Sequence, residues 1–200
     1  GIAHSVEIQN LSNTPAQSLA FVATGWNGLA VADVTAFNQP VLLGQMTLPG
    51  DSLDVAVDPD LAIAAVASSW GGLHLIDVSD GSAPALLRTI NTDARAVEIH
   101  NGLVYSLSPF ALTSYDLETG TMVESVPVPG GTAAALARDG DLIFVLDGLR
   151  TLRVFDVSAP TTVVRGTLTL PQDGISLFAG GSVVYVTIFS NGSTSPGGIA

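Results

Sequence analysis

Gly72-Leu-His-Leu-Ile-Asp-Val-Ser79 is the stretch that decides the fold, because three other parts of the chain repeat its pattern. The related stretches are residues 28–35, 111–118 and 151–158. Each is an apolar segment that ends in an aspartate followed by an aliphatic residue. The repeated aspartates are Asp33, Asp77, Asp116 and Asp156, which lie 44, 39 and 40 residues apart. The chain is therefore built from internal repeats of about 40 residues.

Short apolar segments surround each repeated aspartate, and Gly, Pro, Asn and Asp residues separate them. In the second repeat they are residues 53–57, 62–67, 73–78 and 86–90. In the third they are residues 96–99, 104–107, 112–117 and 122–126. Such segments between turn residues are typical of β-strands, and no ten-residue stretch has a convincing helical apolar face. The sequence therefore predicts an all-β fold.

Several segments are apolar throughout, among them residues 61–67 and 142–146. A sheet with one face in water would alternate apolar and polar residues, so these segments predict sheets that are packed on both faces. Stacked blades of a β-propeller provide that environment, and a period of about 40 residues fits a four-stranded blade. A two-sheet sandwich is the alternative, but it explains neither the period nor the repeated aspartate.

We therefore predict a single all-β domain over residues 1–200, a β-propeller of four-stranded antiparallel blades. It has about four complete blades and part of a fifth, with repeats at residues 5–50, 51–92, 93–130, 131–172 and, incomplete, 173–200. Residues 6–10 resemble residues 97–101, and residues 198–200 resemble residues 28–30. Because an open propeller exposes blade faces and strand edges, we expect this chain to be a fragment of a larger ring.

Composition excludes several classes of function. The chain has no cysteine, which rules out disulfides, thiolate zinc sites and thiol catalysis. Its net charge of −12 argues against nucleic acid as a partner. No apolar run approaches the roughly 20 residues of a membrane helix, so we expect no direct membrane insertion. All six basic residues are arginine, and most of the acids are aspartate. This composition fits a secreted or a salt-adapted surface, and we expect an extracellular or cell-surface location.

Residues 28–40 and 72–84 resemble the repeat of bacterial LVIVD-repeat β-propeller proteins, and a short strand follows each of them, at residues 41–44 and 85–88. The third repeat departs from this pattern at residues 115–120, Tyr-Asp-Leu-Glu-Thr-Gly, and is more similar to the YVTN and quinoprotein-like propeller repeats. The resemblance implies a surface or secreted protein, and it implies no particular reaction.

The repeated aspartates Asp33, Asp77, Asp116 and Asp156 are predicted to be structural. A carboxylate at a strand end can accept hydrogen bonds from the backbone of the following turn, and this role needs no ligand. The acid pairs Asp58/Asp60 and Asp139/Asp141 occupy hairpin turns, where the same explanation applies. Calcium remains an alternative for such acids, although it needs six or more oxygen ligands. No other cofactor is predicted.

The candidate ligand-binding residues occupy matching loop positions in different repeats. Asp51, Asp93 and Asp173 precede the first strand of a repeat, whereas Trp26, Trp70 and Phe110 lie between the second and third strands. In an antiparallel blade both sets of loops emerge at the same end. Aromatic side chains bind sugar faces, apolar groups and cations, and carboxylates bind hydroxyls, amines or calcium. The alternative is that the aromatics seal blade contacts and the aspartates cap turns.

No catalytic constellation is evident. None of the three histidines has an acid or nucleophile at a suitable spacing, so no catalytic residue is predicted. The leading hypothesis is a non-catalytic binding or protein-interaction module with a protein or carbohydrate ligand. The competing hypothesis is a lactonase-like hydrolase or quinoprotein-like dehydrogenase with a site in the central channel, and a third is a structural spacer. Further blades of the same protein, or an oligomer partner, are expected to complete the ring.

Overall fold

The computed structural model describes residues 2–131, 135–147 and 150–188, and all eighteen of the regular elements in these ranges are β-strands. The prediction of an all-β fold is confirmed. Within the described ranges there is no helix that is long and apolar enough to cross a membrane. Residues 189–200, the end of the last predicted repeat, lie outside the described ranges.

The strands form four-stranded antiparallel sheets in which each strand pairs with its neighbour in sequence. The first sheet contains β1 (Ser5–Gln9), β2 (Leu19–Ala23), β3 (Leu29–Asp33) and β4 (Val41–Met46). The second contains β5 (Asp54–Asp58), β6 (Ile63–Ala67), β7 (Leu73–Asp77) and β8 (Ala85–Ile90). The third contains β9 (Ala96–His100), β10 (Leu103–Leu107), β11 (Ala111–Asp116) and β12 (Met122–Pro127). The strand segments predicted for the second and third repeats agree with these strands to within about one residue.

Two further sheets follow. The fourth sheet contains β13 (Ala135–Asp139), β14 (Leu142–Leu146), β15 (Thr151–Asp156) and β16 (Val163–Thr169). A two-stranded sheet contains β17 (Gly174–Gly180) and β18 (Val183–Ile188). The described strands are therefore those of four complete blades and half of a fifth.

The chain divides into two compact units. The first consists of residues 1–106 and 114–123, and the second consists of residues 107–113 and 124–200. In the first unit the second sheet is buried on both faces. Its Val66 side chain packs into a cluster with Phe21 and Val31 of the first sheet, and its Leu75 side chain packs with Val104 of the third sheet on the other side. This arrangement explains why β6 is apolar at every position.

His74 is the one polar side chain within β7 that is fully buried. The carbonyl oxygen of Pro49 can only accept, so the Nε2 atom of His74 donates to it over 3.2 Å. The Nδ1 atom then accepts from the Thr89 hydroxyl, 3.0 Å away. Burial lowers the pKa of His74. The imidazole therefore joins β7 to β8 and to the preceding connection as a neutral group.

The first strands of consecutive sheets lie side by side in the first unit. The Asp54 carboxylate at the start of β5 accepts a hydrogen bond from the Val97 backbone amide of β9 at 3.0 Å, and it also bonds to Ser5 of β1. Burial raises the pKa of Asp54, and these hydrogen bonds partly offset the increase. One carboxylate thus links three sheets.

A β-bulge recurs at the same place between the third and fourth strands. Pairing shifts register between Val31 and Ala32, between Leu75 and Ile76, and between Val154 and Phe155. Each of these shifts leaves one residue of the fourth strand without a direct partner: Leu43, Leu87 and Arg165.

In the second unit one core cluster lies between the fourth sheet and the two-stranded sheet. Leu146 and Leu170 pack with Val186 of β18, and Leu177 and Val184 surround them. Leu177, Val184 and Val186 lie on one face of β17 and β18. The opposite face of the two strands carries Phe178 and Tyr185, whose ring centroids are 6.2 Å apart.

Candidate functional site

The repeated aspartates bond to the turns that follow them. The Oδ1 atom of Asp33 accepts the Thr35 backbone N–H at 2.8 Å, and that of Asp77 accepts the Ser79 N–H at 2.9 Å. Asp116 accepts both the N–H and the hydroxyl of Thr119, at 2.7 Å each. Each carboxylate therefore fixes the backbone of the loop that leads to the fourth strand.

Asp156 has the most hydrogen bonds of the four. It accepts the backbone N–H and hydroxyl of Ser158 at 2.9 and 2.6 Å, and the Nε atom of Arg165 donates to it at 2.8 Å. The Ser158 hydrogen bonds, followed by the Arg165 guanidinium, lower the pKa of Asp156 to about 2. For Asp33, Asp77 and Asp116 the hydroxyl and backbone groups of their turns also lower the pKa. All four are stabilised as anions by local turn bonds.

The loops between second and third strands are closed by a short polar residue at one repeated position. The backbone N–H groups of Thr24, Ser68 and Ser108 donate to the carbonyl groups of Gly28, Gly72 and Ala111 at 2.8–2.9 Å. At the fourth such position the N–H of Asp147 donates to Thr151 at 3.0 Å, and its buried carboxylate accepts the Thr151 N–H. These bonds hold the loops that carry the predicted aromatic residues.

Two of these loops pair with the connection that enters the following sheet. Gly25 and Ser52 form an antiparallel bridge with two hydrogen bonds of 3.1 Å, and Ser69 and Ala94 form the equivalent bridge. Trp26 and Trp70 directly follow the bridging residues Gly25 and Ser69, and Asp51 and Asp93 directly precede the bridging residues Ser52 and Ala94. The repeat therefore produces the same aromatic and acidic pair twice in the first unit.

The two tryptophans meet at the surface. Their ring centroids are 5.9 Å apart with an interplanar angle of 67°, which is an edge-to-face contact. Trp26 is 63% exposed and Trp70 is 70% exposed. Both rings therefore present much of their area to solvent. We call Trp26, Trp70, Asp51 and Asp93 the aromatic–acidic surface.

The carboxylates of this surface have different neighbours. A Cβ atom placed on Gly25 would lie 3.1 Å from Oδ1 of Asp51 and 3.4 Å from Nε2 of His4, so both groups rest against the residue that precedes Trp26. The His4 and Asp51 side chains are 3.8 Å apart. The Oδ2 atom of Asp93 lies 3.5 Å from the Arg95 guanidinium. Its Oδ1 atom is buried and has no hydrogen-bond partner among the described residues.

The other predicted site residues, Phe110 and Asp173, belong to the second unit. Phe110 is 69% exposed, and its ring covers Gly131, since a Cβ atom there would lie 2.7 Å from the ring edge. Asp173 is exposed and accepts a hydrogen bond of 3.0 Å from the Nε atom of Arg150. Among the described residues, neither Phe110 nor Asp173 adjoins a backbone bridge of the kind found in the first unit.

Among the residues that the structure describes, no three His, Asp or Glu side chains come together as a metal site. The carboxylates of the hairpin turns bond to protein groups instead. Asp58 accepts the backbone N–H groups of Asp60 and Leu61 at 3.0 and 2.9 Å, and Asp139 accepts the N–H of Ser182 at 2.8 Å. Asp60 accepts the hydroxyl of Ser12.

Sequence reasoning did not identify several residues that support the aromatic–acidic surface. The hydroxyl groups of Ser52 and Ser68 are buried and lie 2.9 Å apart beneath the two loops. Gly71 has no room for a side chain, because a Cβ atom would lie 2.1 Å from the carbonyl oxygen of Pro49. The sequence feature that could have indicated this tight packing is the pair of adjacent glycines, Gly71 and Gly72, directly after Trp70.

The arrangement can stack on flat or cationic groups and can accept hydrogen bonds from them. The surface carries two carboxylates, and the neighbouring His4 imidazole faces one of them, that of Asp51. The aromatic–acidic surface is formed by loops of the first unit. The sheets around it, each of four antiparallel strands connected in sequence order, define the class: a propeller-repeat protein.

Similar chains of known structure share this fold. A chain of the mitotic checkpoint complex has a TM-score of 0.71 and 12% identity, over 94% of this chain and 58% of that chain. The computationally designed Ika8 protein gives 0.66 and 15%, over 92% and 55%. The designed Ika4 protein gives 0.60 and 15%, over 76% and 89%. This chain thus spans little more than half of two of them, and identities this low show the fold alone.

A family model also matches part of the sequence. The LVIVD repeat family model matches residues 18–47 and 49–92, which contain β2 to β8. The resemblance to LVIVD-repeat proteins is confirmed in this part of the chain, which carries LVIVD repeats. No curated protein matches the sequence of the chain.

Proposed function

We propose that this chain is a non-catalytic binding module of a secreted or cell-surface protein and that the aromatic–acidic surface contacts the ligand. The observation that carries the proposal is the exposed pair of Trp26 and Trp70. Tryptophan is highly buried on average, and it is enriched among the residues that dominate binding energy at interfaces. Two tryptophans that stay more than 60% exposed bury little of their apolar area in the core. Their exposed area therefore favours a role in binding a partner.

The ligand that fits best is a protein segment with basic side chains. A guanidinium or ammonium group can lie over an indole face while a neighbouring carboxylate accepts its hydrogen bonds. Asp51 and Asp93 adjoin the two backbone bridges whose other strands lead into Trp26 and Trp70. The net charge of −12 attracts such a segment and increases its rate of association.

The experiment is a fluorescence titration, because Trp26 and Trp70 are the only tryptophans in the chain. The probes are a nona-arginine peptide, a neutral hexasaccharide such as maltohexaose, and calcium chloride with a matched chelator sample. We expect saturable quenching by the peptide alone, with an affinity that falls as salt is raised from about 50 to 300 mM, because salt screens exposed charges.

Matched variants test whether peptide binding depends on the aromatic–acidic surface or only on the net charge of the chain. Trp70→Ala and Asp93→Asn should each weaken peptide binding by about tenfold, which corresponds to roughly 1.4 kcal/mol. Phe37→Ala removes an aromatic side chain that is 87% exposed elsewhere in the first unit, and Glu118→Gln removes an exposed acid. Both controls should bind as the unmodified chain does.

The outcomes discriminate between the hypotheses. If the hexasaccharide quenches the fluorescence and the peptide does not, the ligand is a carbohydrate and not a protein segment. A fluorescence change on addition of calcium would show that the surface binds a metal. If Phe37→Ala weakens peptide binding as much as Trp70→Ala does, the aromatic–acidic surface is not the binding site. Absence of any response to the three probes at millimolar concentration would favour the structural spacer.

A further inference from the structure

Two pairs of asparagine followed by glycine lie among the described residues, and both are in turns. Asn101 and Gly102 form the two-residue loop between β9 and β10, with φ of +50° and +72°. Asn27 and Gly28 lie in the loop between β2 and β3, where Gly28 has φ of +80°. Both asparagines are exposed. The same pair of residues is therefore presented to solvent by two different turns.

An asparagine followed by glycine can lose its side-chain amide by cyclisation. The backbone nitrogen of the glycine attacks the Cγ atom of the asparagine, so that a new C–N bond forms and the Cγ–Nδ2 bond breaks. The proton of the glycine N–H and the Nδ2 amino group leave together as ammonia, and a cyclic succinimide remains. Water then opens the ring at either carbonyl carbon, which gives aspartate or isoaspartate. Glycine favours the attack because it has no side chain to obstruct it.

The Gly102 peptide is free to move. Nothing lies within 4 Å of the position that a Cβ atom on Gly102 would take. In a two-residue hairpin loop the closing hydrogen bonds join the flanking residues, here His100 and Leu103, and do not use the N–H of the glycine. The peptide between Asn101 and Gly102 can therefore rotate and bring its nitrogen to the Asn101 Cγ atom without displacing another group.

The Gly28 peptide is held in place. Its N–H donates to the Gly25 carbonyl oxygen at 3.0 Å. A Cβ atom on Gly28 would lie 2.1 Å from the Met46 carbonyl oxygen and 2.7 Å from the Leu48 nitrogen. The backbone of Gly28 is thus enclosed by the segment that follows β4, and its nitrogen cannot reach the Asn27 Cγ atom unless the loop opens.

We propose that Asn101 is a site of spontaneous deamidation in the folded chain, whereas Asn27 is protected by the backbone around it. Asn27 reacts only in the fraction of molecules in which its loop is open, and the free energy of that local opening lowers its rate. Asn101 needs no such opening. This inference is independent of the proposed binding function.

Deamidation changes the hydrogen bonds and the length of the turn. The Nδ2 atom of Asn101 can only donate, so Nε2 of His100 accepts from it at 3.0 Å. A carboxylate in its place can only accept, and this hydrogen bond is lost unless the imidazole is protonated. Isoaspartate also adds a methylene group to the backbone of a loop whose length fixes the strand register. The modification should therefore weaken the pairing of β9 with β10.

The experiment is peptide mapping by mass spectrometry after incubation of the whole chain in a mildly alkaline buffer. Trypsin cleaves after the six arginines, which places Asn27 in residues 1–88 and Asn101 in residues 96–138. Asn101 is the only asparagine or glutamine in residues 96–138, so deamidation of that peptide reports on Asn101 alone. Digestion in water enriched in heavy oxygen marks any deamidation that occurs during the digest.

A third pair of this kind, residues 191–192, lies outside the described ranges and falls in a separate peptide, residues 166–200. It therefore does not interfere with the comparison.

In the folded chain Asn101 should deamidate about tenfold faster than Asn27 or more. In guanidinium chloride, where neither loop is held, the two rates should agree to within about twofold. The product at Asn101 should include isoaspartate, which an isoaspartyl methyltransferase detects. Gly102→Ala is the matched control: its methyl group obstructs the attack, so deamidation should slow at Asn101 and stay unchanged at Asn27.

Three results would overturn the proposal. The first is an equal rate at Asn27 and Asn101 in the folded chain, which would show that the backbone contacts of Gly28 give no protection. The second is an Asn101 that reacts in guanidinium chloride but not in the folded chain. The third is deamidation of Asn101 without isoaspartate, because direct hydrolysis of the side-chain amide gives aspartate alone.

Discussion

Substitution of three glycines in the first unit allows the cost of a strained backbone conformation to be measured separately from the cost of a steric clash. Gly102 has φ of +72° and nothing within 4 Å of the position that a Cβ atom would take, so alanine there adds conformational strain alone. Gly71 has no positive φ, but its Cβ atom would lie 2.1 Å from the Pro49 carbonyl oxygen. Gly28 combines both, with φ of +80° and a Cβ atom 2.1 Å from the Met46 carbonyl oxygen.

The expected order of destabilisation follows from these contacts. Gly102→Ala should cost about 1 kcal/mol, the lower end of the penalty for a left-handed alanine. Gly71→Ala should cost about 2 kcal/mol or more, because the clashing atoms belong to the backbone and cannot rotate away. Gly28→Ala should cost about 3 kcal/mol or more, since the two penalties act together.

Urea unfolding followed by tryptophan fluorescence measures this order, because both tryptophans lie in the first unit with the three glycines. With a slope of about 2 kcal/mol/M, the midpoint should fall by about 0.5 M for Gly102→Ala and by about 1.5 M for Gly28→Ala. If Gly71→Ala unfolds at the same urea concentration as Gly102→Ala, the packing of that loop against Pro49 is not what requires glycine, and the reasoning is wrong.

Two further predictions concern pH. The pKa of Asp156 is about 2 in the folded chain against an ordinary value of 3.8, so its contribution to stability is complete above about pH 4 and is lost as the pH falls toward 2. Asp156→Asn should therefore flatten the acid dependence of stability in urea melts followed by circular dichroism between pH 5 and 2, and an unchanged slope would contradict this role. Burial lowers the pKa of His74 below its ordinary 6.5, so the unfolded chain binds more protons and stability should decrease as the pH falls from 7 to 5. In His74→Gln this decrease should be smaller in tryptophan-monitored melts, and a steeper decrease would show that burial of the neutral ring is not its source.

The fold was predictable because the same physical requirements recur in every repeat. Continuous apolar segments such as residues 62–67 indicated burial on both faces, and β6 lies between two other sheets. Turn residues marked the strand ends to within about one residue in the second and third repeats. The Asp-to-turn hydrogen bonds are local, so spacing along the chain contains enough information to suggest them.

The candidate site was predictable only in part. The repeat indicated which loop positions share one end of a blade, but the contact between Trp26 and Trp70 joins residues 44 positions apart and depends on how closely two loops approach. Partners of the acids could not be predicted either, because they do not repeat. Asp51 is near His4, whereas Asp93 is near Arg95.

The bulges between the third and fourth strands of the first, second and fourth sheets each leave one residue outside the direct pairing of the ladder. Leu43 packs into the core of the first unit, whereas Arg165, at the equivalent position, reaches Asp156 of its own sheet. Neither residue has a direct partner across the ladder, so a change from leucine to arginine leaves the pairing register intact. The same bulge position therefore carries an apolar contact in the first sheet and an ion pair in the fourth, with the same pairing of the third and fourth strands.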